Sequence, residues 1–174
     1  MVIVLEGFDT TGKSSLAHYL AYKLNLYYMH SMPSYSKELY MELIETLDRI
    51  KEDVVIDRFH LTDMVYGKVV CEHTRINKIQ CEKLEGYMLK RGIIFIHCTA
   101  KLEIVKERYM NEKSRYVPSQ LIDVCLREYY EQFERLKNAG FLVYKLNTSQ
   151  PFEIQKQHID CIIGQLKGMQ KNGK

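Results

Sequence analysis

The sequence predicts an α/β fold: a five-stranded parallel sheet with helices on both faces. Three observations carry this reading. Short apolar runs alternate with segments of helical period along the whole chain. The first run leads directly into a Gly-rich turn and then a helix. Gly or Pro stands at several of the later changeovers.

Val2-Ile3-Val4-Leu5 is a continuous apolar run with a turn signal after it, as in a strand buried on both faces. Leu16, Leu20 and Leu24 then repeat every four residues, one face of a helix. Leu26-Tyr27-Tyr28-Met29 is a second, weaker strand. A helix over about residues 36–49 follows, with Leu39, Leu43, Ile44 and Leu47 on one side. Val54-Val55-Ile56-Asp57 is the third strand. Residues 59–70 and 76–90 are helical, and Gly92 stops the second of these helices. Ile93-Ile94-Phe95-Ile96-His97 is the fourth strand, and residues 101–109 are a helix. Residues 110–117 are polar and charged, without a period. Pro118 opens a long helix whose apolar positions Ile122, Leu126, Tyr129, Phe133 and Leu136 step by 4, 3, 4 and 3. Gly140 ends that helix, residues 141–146 form a fifth strand, and Pro151 starts a final helix carrying Ile159, Ile162, Ile163 and Leu166.

The 174 residues suit one domain, 1–174. Hydrophobic residues make up 46% and charged residues 27%, the proportions of a soluble globular protein. No apolar run approaches a membrane span, and the start of the chain lacks a secretory pattern. The net charge of +3 admits anionic substrates but lacks the dense basic stripe of a nucleic-acid binder. Cys71, Cys81, Cys98, Cys125 and Cys161 are odd in number and form no C-x-x-C pair, so reduced thiols in a cytoplasmic protein are expected. Cys71 and Cys81 sit in polar stretches, which suggests partial exposure.

In a parallel sheet, ligands collect beyond the carboxyl ends of the strands. That places residues 7–14, Pro33, Asp57-Arg58 and the segment after His97 on one rim, with the polar 110–117 segment able to fold back as a lid. The stretch Gly7-Phe8-Asp9-Thr10-Thr11-Gly12-Lys13-Ser14 is G-x-x-x-x-G-K-S, and it lies between a strand and a helix as its mechanism requires. Its glycines permit backbone angles and close approaches that a side chain forbids. Its amides and the helix N-terminus bind oxyanions. Gly7, Thr10, Thr11, Gly12, Lys13, Ser14 and Ser15 are therefore expected to hold ATP, with Lys13 on the β- and γ-phosphates and Ser14 on Mg2+. A GTPase would carry N-K-x-D after a later strand; Asn77-Lys78-Ile79-Gln80 lacks the Asp and falls in a helix, and no LSGGQ stretch exists.

From Leu5-Glu6-Gly7-Phe8-Asp9 onward the sequence resembles the thymidylate kinase family, whose loop reads F-E-G-x-D-x-x-G-K-S/T. Asp57-Arg58-Phe59-His60-Leu61-Thr62-Asp63-Met64-Val65-Tyr66-Gly67 is similar to the family's D-R-Y-x-x-S-x-x-A-Y-Q-G, without the Gln. The resemblance implies a three-layer P-loop nucleotide kinase with strand order 2-3-1-4-5 and a short lid at about residues 109–118. It implies ATP- and Mg2+-dependent phosphoryl transfer to a deoxynucleoside monophosphate, dTMP-like, with a small-molecule nucleotide as the partner and a homodimer as one assembly open to it. A deoxynucleoside kinase and a nucleotide-binding module without turnover are the alternatives.

Glu6 lies near the acceptor, where it could take a proton or brace the loop. The resemblance puts Asp9 on the acceptor sugar's hydroxyl, although an Asx-type turn would also use it. Asp57, at a strand end, suits Mg2+ held through water, and Arg58 beside it matches the family's acceptor-phosphate arginine. Phe59 and Tyr66 could border the acceptor base or fill the core. His60 reads as a packed or capping histidine, and His97 as scaffold. Lys106, Arg108, Lys113 and Arg115 give the lid segment its charge, and Arg108 and Arg115 match the spacing of lid arginines that offset charge on the transferred group; a solvated helix end would look the same. Where the family carries F-P-x-R after the second strand, this sequence has Ser31-Met32-Pro33-Ser34-Tyr35-Ser36-Lys37: the Pro is matched and the Arg is not, and Lys37 could supply only a point charge.

Overall fold

The computed structural model describes residues 1–31, 38–112 and 116–172, and side chains as far as residue 168. Strands β1 (Val2–Glu6), β2 (Tyr27–His30), β3 (Val54–Asp57), β4 (Ile94–Thr99) and β5 (Val143–Asn147) form one parallel sheet in the order β2-β3-β1-β4-β5, as the resemblance implies. Between and after them run α1 (Lys13–Leu24), α2 (Leu39–Arg49), α3 (His60–Val69), α4 (Lys78–Lys90), α5 (Leu102–Met110), α6 (Ile122–Asn138) and α7 (Phe152–Asn172). None of the described helices is long and apolar enough to cross a membrane.

The central strand shows why the sheet is buried on both faces. Successive side chains alternate sides. Ile3 and Leu5 pack with Leu16 and Leu20 of α1 and Ile159 and Ile163 of α7. Val2 and Val4 face the opposite layer, where Leu43 and Leu47 of α2, Leu61 and Val65 of α3, Leu84 of α4, Val105 of α5 and Phe133 of α6 meet.

Several boundaries differ from the sequence reading. Asn77 caps α4, with reciprocal hydrogen bonds to Gln80 that form a capping box, so the N-K stretch is a helix start. A single 3-10 turn, Ser119–Leu121, separates Pro118 from α6. β5 begins at Val143 because Phe141, bonded through its N–H to the Leu136 carbonyl, is buried in the core. Cys81 is buried; Cys71 and Cys161 are the exposed thiols.

A polar network ties the helices on the α3 face together. Arg135 of α6 donates two hydrogen bonds to Glu85 of α4, at 2.5 and 2.6 Å, and the buried His60 of α3 lies 3.0 Å from the same carboxylate. Burial alone would raise the Glu85 pKa, but Arg135 and His60 hold it down at about 2. His60 is thus the packed residue that the sequence suggested. His97 is scaffold as well: it stacks on Phe133 at 4.0 Å, and burial, aided by the Lys145 charge, depresses its pKa to about 3.

Candidate active site

The parallel pairing gathers the motif residues. Leu5 of β1 is in register with Asp57 of β3, and Asp57 is in register with His30 of β2, so the strands end together on one rim. The loop after β1 turns sharply there. Gly7 has φ +148°, and a Cβ on it would run into the Cys98 carbonyl oxygen. Gly12 has φ +71° and is the left-handed residue that starts α1. Of the four non-glycine residues with positive φ among the described residues, two stand on this rim, Thr10 at 64° and Arg58 at 71°. Strain of this kind persists where the surroundings dictate it, and it gathers at functional sites. The Arg58 N–H is held by the Leu5 carbonyl at 2.9 Å.

A cavity of about 370 Å³ opens above the loop, lined by Asp9, Thr10, Gly12, Lys13, Ser14, Ser15, Arg58, Tyr109, Glu112 and Tyr116. Within the loop, the Phe8 carbonyl accepts from Lys13 Nζ and from Thr11 Oγ1, both at 2.7 Å. Lys13 is buried, and desolvation together with the neighbouring Arg58 charge lowers its pKa to about 8. Arg58 pairs with Asp9. Burial works against the Arg58 charge, but the Asp9 carboxylate outweighs it and pushes the pKa above its ordinary range.

Other sequence-predicted residues are placed beside the cavity rather than in it. Glu6 is fully buried. Its carboxylate accepts from the backbone N–H groups of Phe59 at 2.8 Å and Thr62 at 3.2 Å, and from the Thr62 hydroxyl at 2.7 Å. Phe59, the N-cap of α3, has no side-chain cap of its own, so Glu6 satisfies the helix start from the neighbouring strand. Glu6 therefore braces the start of α3 rather than the phosphate loop. Phe59 lies in the core, 5% exposed. Tyr66 accepts from the Asp9 N–H at 3.2 Å and packs edge-on against Phe8 and Tyr129. Burial and the Tyr129 phenol push its pKa well up. Both aromatics serve packing here, and neither lines the cavity. Arg108 donates to the Thr10 carbonyl at 3.3 Å and the Thr148 carbonyl at 3.0 Å, tying α5 to the phosphate loop and to the segment after β5. Pro33, Lys37, Lys113 and Arg115 lie outside the described residues.

Two neighbours of Asp57 were not singled out from the sequence. Its Oδ2 accepts from the Tyr28 hydroxyl and lies against His30 Nδ1, each at 3.1 Å. Oδ1 is buried and has no hydrogen-bond partner among the described residues. The only local signal was the position of His30 at the carboxyl end of β2; Tyr28, the second residue of that strand, carried none. Tyr109 was also missed; its hydroxyl accepts the Val117 N–H at 2.7 Å and its ring meets Phe8, closing the chain's return beyond α5.

The chemistry of these residues suits a divalent cation: Asp57 Oδ1 is buried with no donor among the described residues, and the Ser14 hydroxyl stands in the first turn of α1.

No protein-family model matches the sequence, and neither does any curated protein sequence. Among solved structures the chain is similar to the YorR protein of Bacillus subtilis in complex with phosphorylated GDP, at 23% identity over 96% of each chain and a TM-score of 0.77. It is similar to a deoxyadenosine kinase from M. mycoides with bound dATP, at 16% identity over 96% of this chain and 100% of that one, TM-score 0.65. Thymidylate kinase from Candida albicans aligns at 16% identity over 94% of this chain and 91% of that one, TM-score 0.63. At these identities the likeness shows the fold, and the fold is that of the P-loop kinases.

Proposed function

We propose that this chain transfers the terminal phosphoryl group of ATP to a deoxynucleoside monophosphate, a pyrimidine one such as dTMP, giving the diphosphate. One observation carries the reading: Arg58, on a left-handed backbone at the end of β3, shares a single cavity with Lys13 and the amides of the phosphate loop. A cation fixed across from a triphosphate cradle is what a second phosphate needs.

In this reading Gly7 to Ser15 hold the phosphate chain of ATP, and Lys13 leaves the Phe8 carbonyl for the β- and γ-oxygens. Ser14 and Asp57 carry Mg2+, which neutralises charge on the phosphate chain when bound. Arg58 exchanges part of its contact with Asp9 for the acceptor phosphate, and the freed carboxylate oxygen receives the sugar hydroxyl. The acceptor oxygen is already anionic, so positioning and charge neutralisation suffice and no base is required. The buried, fully bonded Glu6 suits that chemistry. Residues 109–118 act as the lid, and Arg108 and Arg115 offset charge on the group in transit.

A bare deoxynucleoside is the second reading, favoured by the Asp9–Arg58 pair itself. A phosphate must compete with that carboxylate, whereas a hydroxyl acceptor need not. Initial rates of ADP release with dTMP, dCMP and dUMP beside thymidine and deoxycytidine separate the two. Turnover with a monophosphate is the expected result; turnover with nucleosides alone overturns the first reading.

A further inference from the structure

Asp57 treats its two oxygens unequally. Oδ2 is met by the Tyr28 hydroxyl and His30 Nδ1, each at 3.1 Å, while Oδ1 is sealed from solvent with no hydrogen-bond partner among the described residues. A buried acceptor without a donor is costly, and native structures keep few of them without a reason. The Asp side chain has a broad torsion next to its carboxylate, so nothing intrinsic decides which oxygen faces which way. Two donors converging on one oxygen decide it.

Tyr28 is itself well fixed. Its ring stacks on His18 of α1 with centroids 3.8 Å apart, and Ser14 of the same helix is among the polar groups that act on its hydroxyl. One phenol therefore stands beside both side chains suited to carry a cation. The parallel register supplies the third member, because His30 of β2 pairs directly with Asp57 of β3.

We propose that Tyr28 and His30 are positioning residues for a divalent cation: by occupying Asp57 Oδ2 they present Oδ1 to the ion or its water, and Tyr28 couples this carboxylate to Ser14. The inference rests on the phosphoryl-transfer reading above. Tyr28 contributes more than His30, whose side chain is 35% exposed and whose hydrogen bond competes with water.

The test uses the full chain and the variants Tyr28→Phe, His30→Ala and His30→Asn. Mn2+ binding is titrated in the presence of a non-hydrolysable triphosphate analogue, with analogue binding in EDTA and the melting temperature recorded beside it. Tyr28→Phe is expected to weaken Mn2+ about tenfold, the usual cost of losing an outer-shell partner, and to leave metal-free analogue binding unchanged. His30→Ala weakens Mn2+ less, and His30→Asn, whose amide can donate from nearly the same place, restores it. If Tyr28→Phe does not fold, the two His30 variants decide the matter. Unchanged Mn2+ affinity in the folded variants, with or without a lower melting temperature, overturns the inference and leaves the functional reading standing. Triphosphate binding to the unmodified chain that is indifferent to metal overturns the functional reading, and the inference with it.

Discussion

Lys13 shows how much one side chain can reveal about the site. It is buried, its pKa is lowered to about 8, and among the described residues its Nζ is bonded to the Phe8 carbonyl. Burial and Arg58 disfavour its charge; triphosphate oxygens would restore it. Below pH 8 the free protein already carries that proton. Above pH 8 the free protein has lost it, and binding must take it back. Calorimetric titration of ATP in buffers of different ionisation enthalpy is therefore expected to show uptake of about one proton at pH 9 and none from this group near pH 6.5, with affinity falling as pH rises through 8. Lys13→Met removes the uptake. Lys13, Ser14, Asp9 and Arg58 were legible in the sequence because each belongs to a short contiguous motif at a strand end. Tyr28 and His30 were not, because what makes them notable is their proximity to Asp57, 29 and 27 residues away. Phe59 and Tyr66 were ambiguous for a physical reason: an aromatic ring at helical spacing looks the same whether it packs a core or faces a base.

Elements are joined here by carboxylates as much as by apolar faces. Glu6 of β1 provides the cap that α3 lacks. Glu6→Ala leaves two backbone donors and the Thr62 hydroxyl short of an acceptor in a buried setting, and is expected to cost about 2–3 kcal/mol in a urea melt. Glu6→Gln, which keeps an acceptor, costs less. The Glu85 carboxylate holds α3, α4 and α6 together through His60, Cys81 and Arg135. Its pKa is lowered in the folded state, so its contribution is fully present above the ordinary value near 4.5 and is lost as pH falls towards about 2. Unfolding followed across that window is expected to show an acid limb that Glu85→Gln makes shallower. Strand and helix identities were readable because a short apolar run bounded by turn residues and a helical period are both local. Boundaries such as the start of β5 were not, because the packing of Phe141 under the end of α6 decides them.

The sheet order makes the molecule more than a row of βα units. Placing β1 between β3 and β4 brings the phosphate loop next to Asp57 and Arg58 on one side and the Cys98 carbonyl on the other. No local pattern states that order; the two motifs implied it only through the family they resemble. The order also sets the spacing between the triphosphate cradle and Arg58, and the proposed reaction depends on that spacing. Replacing Arg58 with Lys keeps the charge and removes the planar fork. Steady-state kinetics of Arg58→Lys should therefore show a KM for dTMP raised about 10- to 100-fold, the loss of one charged hydrogen bond or two, with ATP affinity unchanged. An unaltered KM for dTMP, or a loss confined to ATP binding, would contradict the placement of the acceptor phosphate on Arg58.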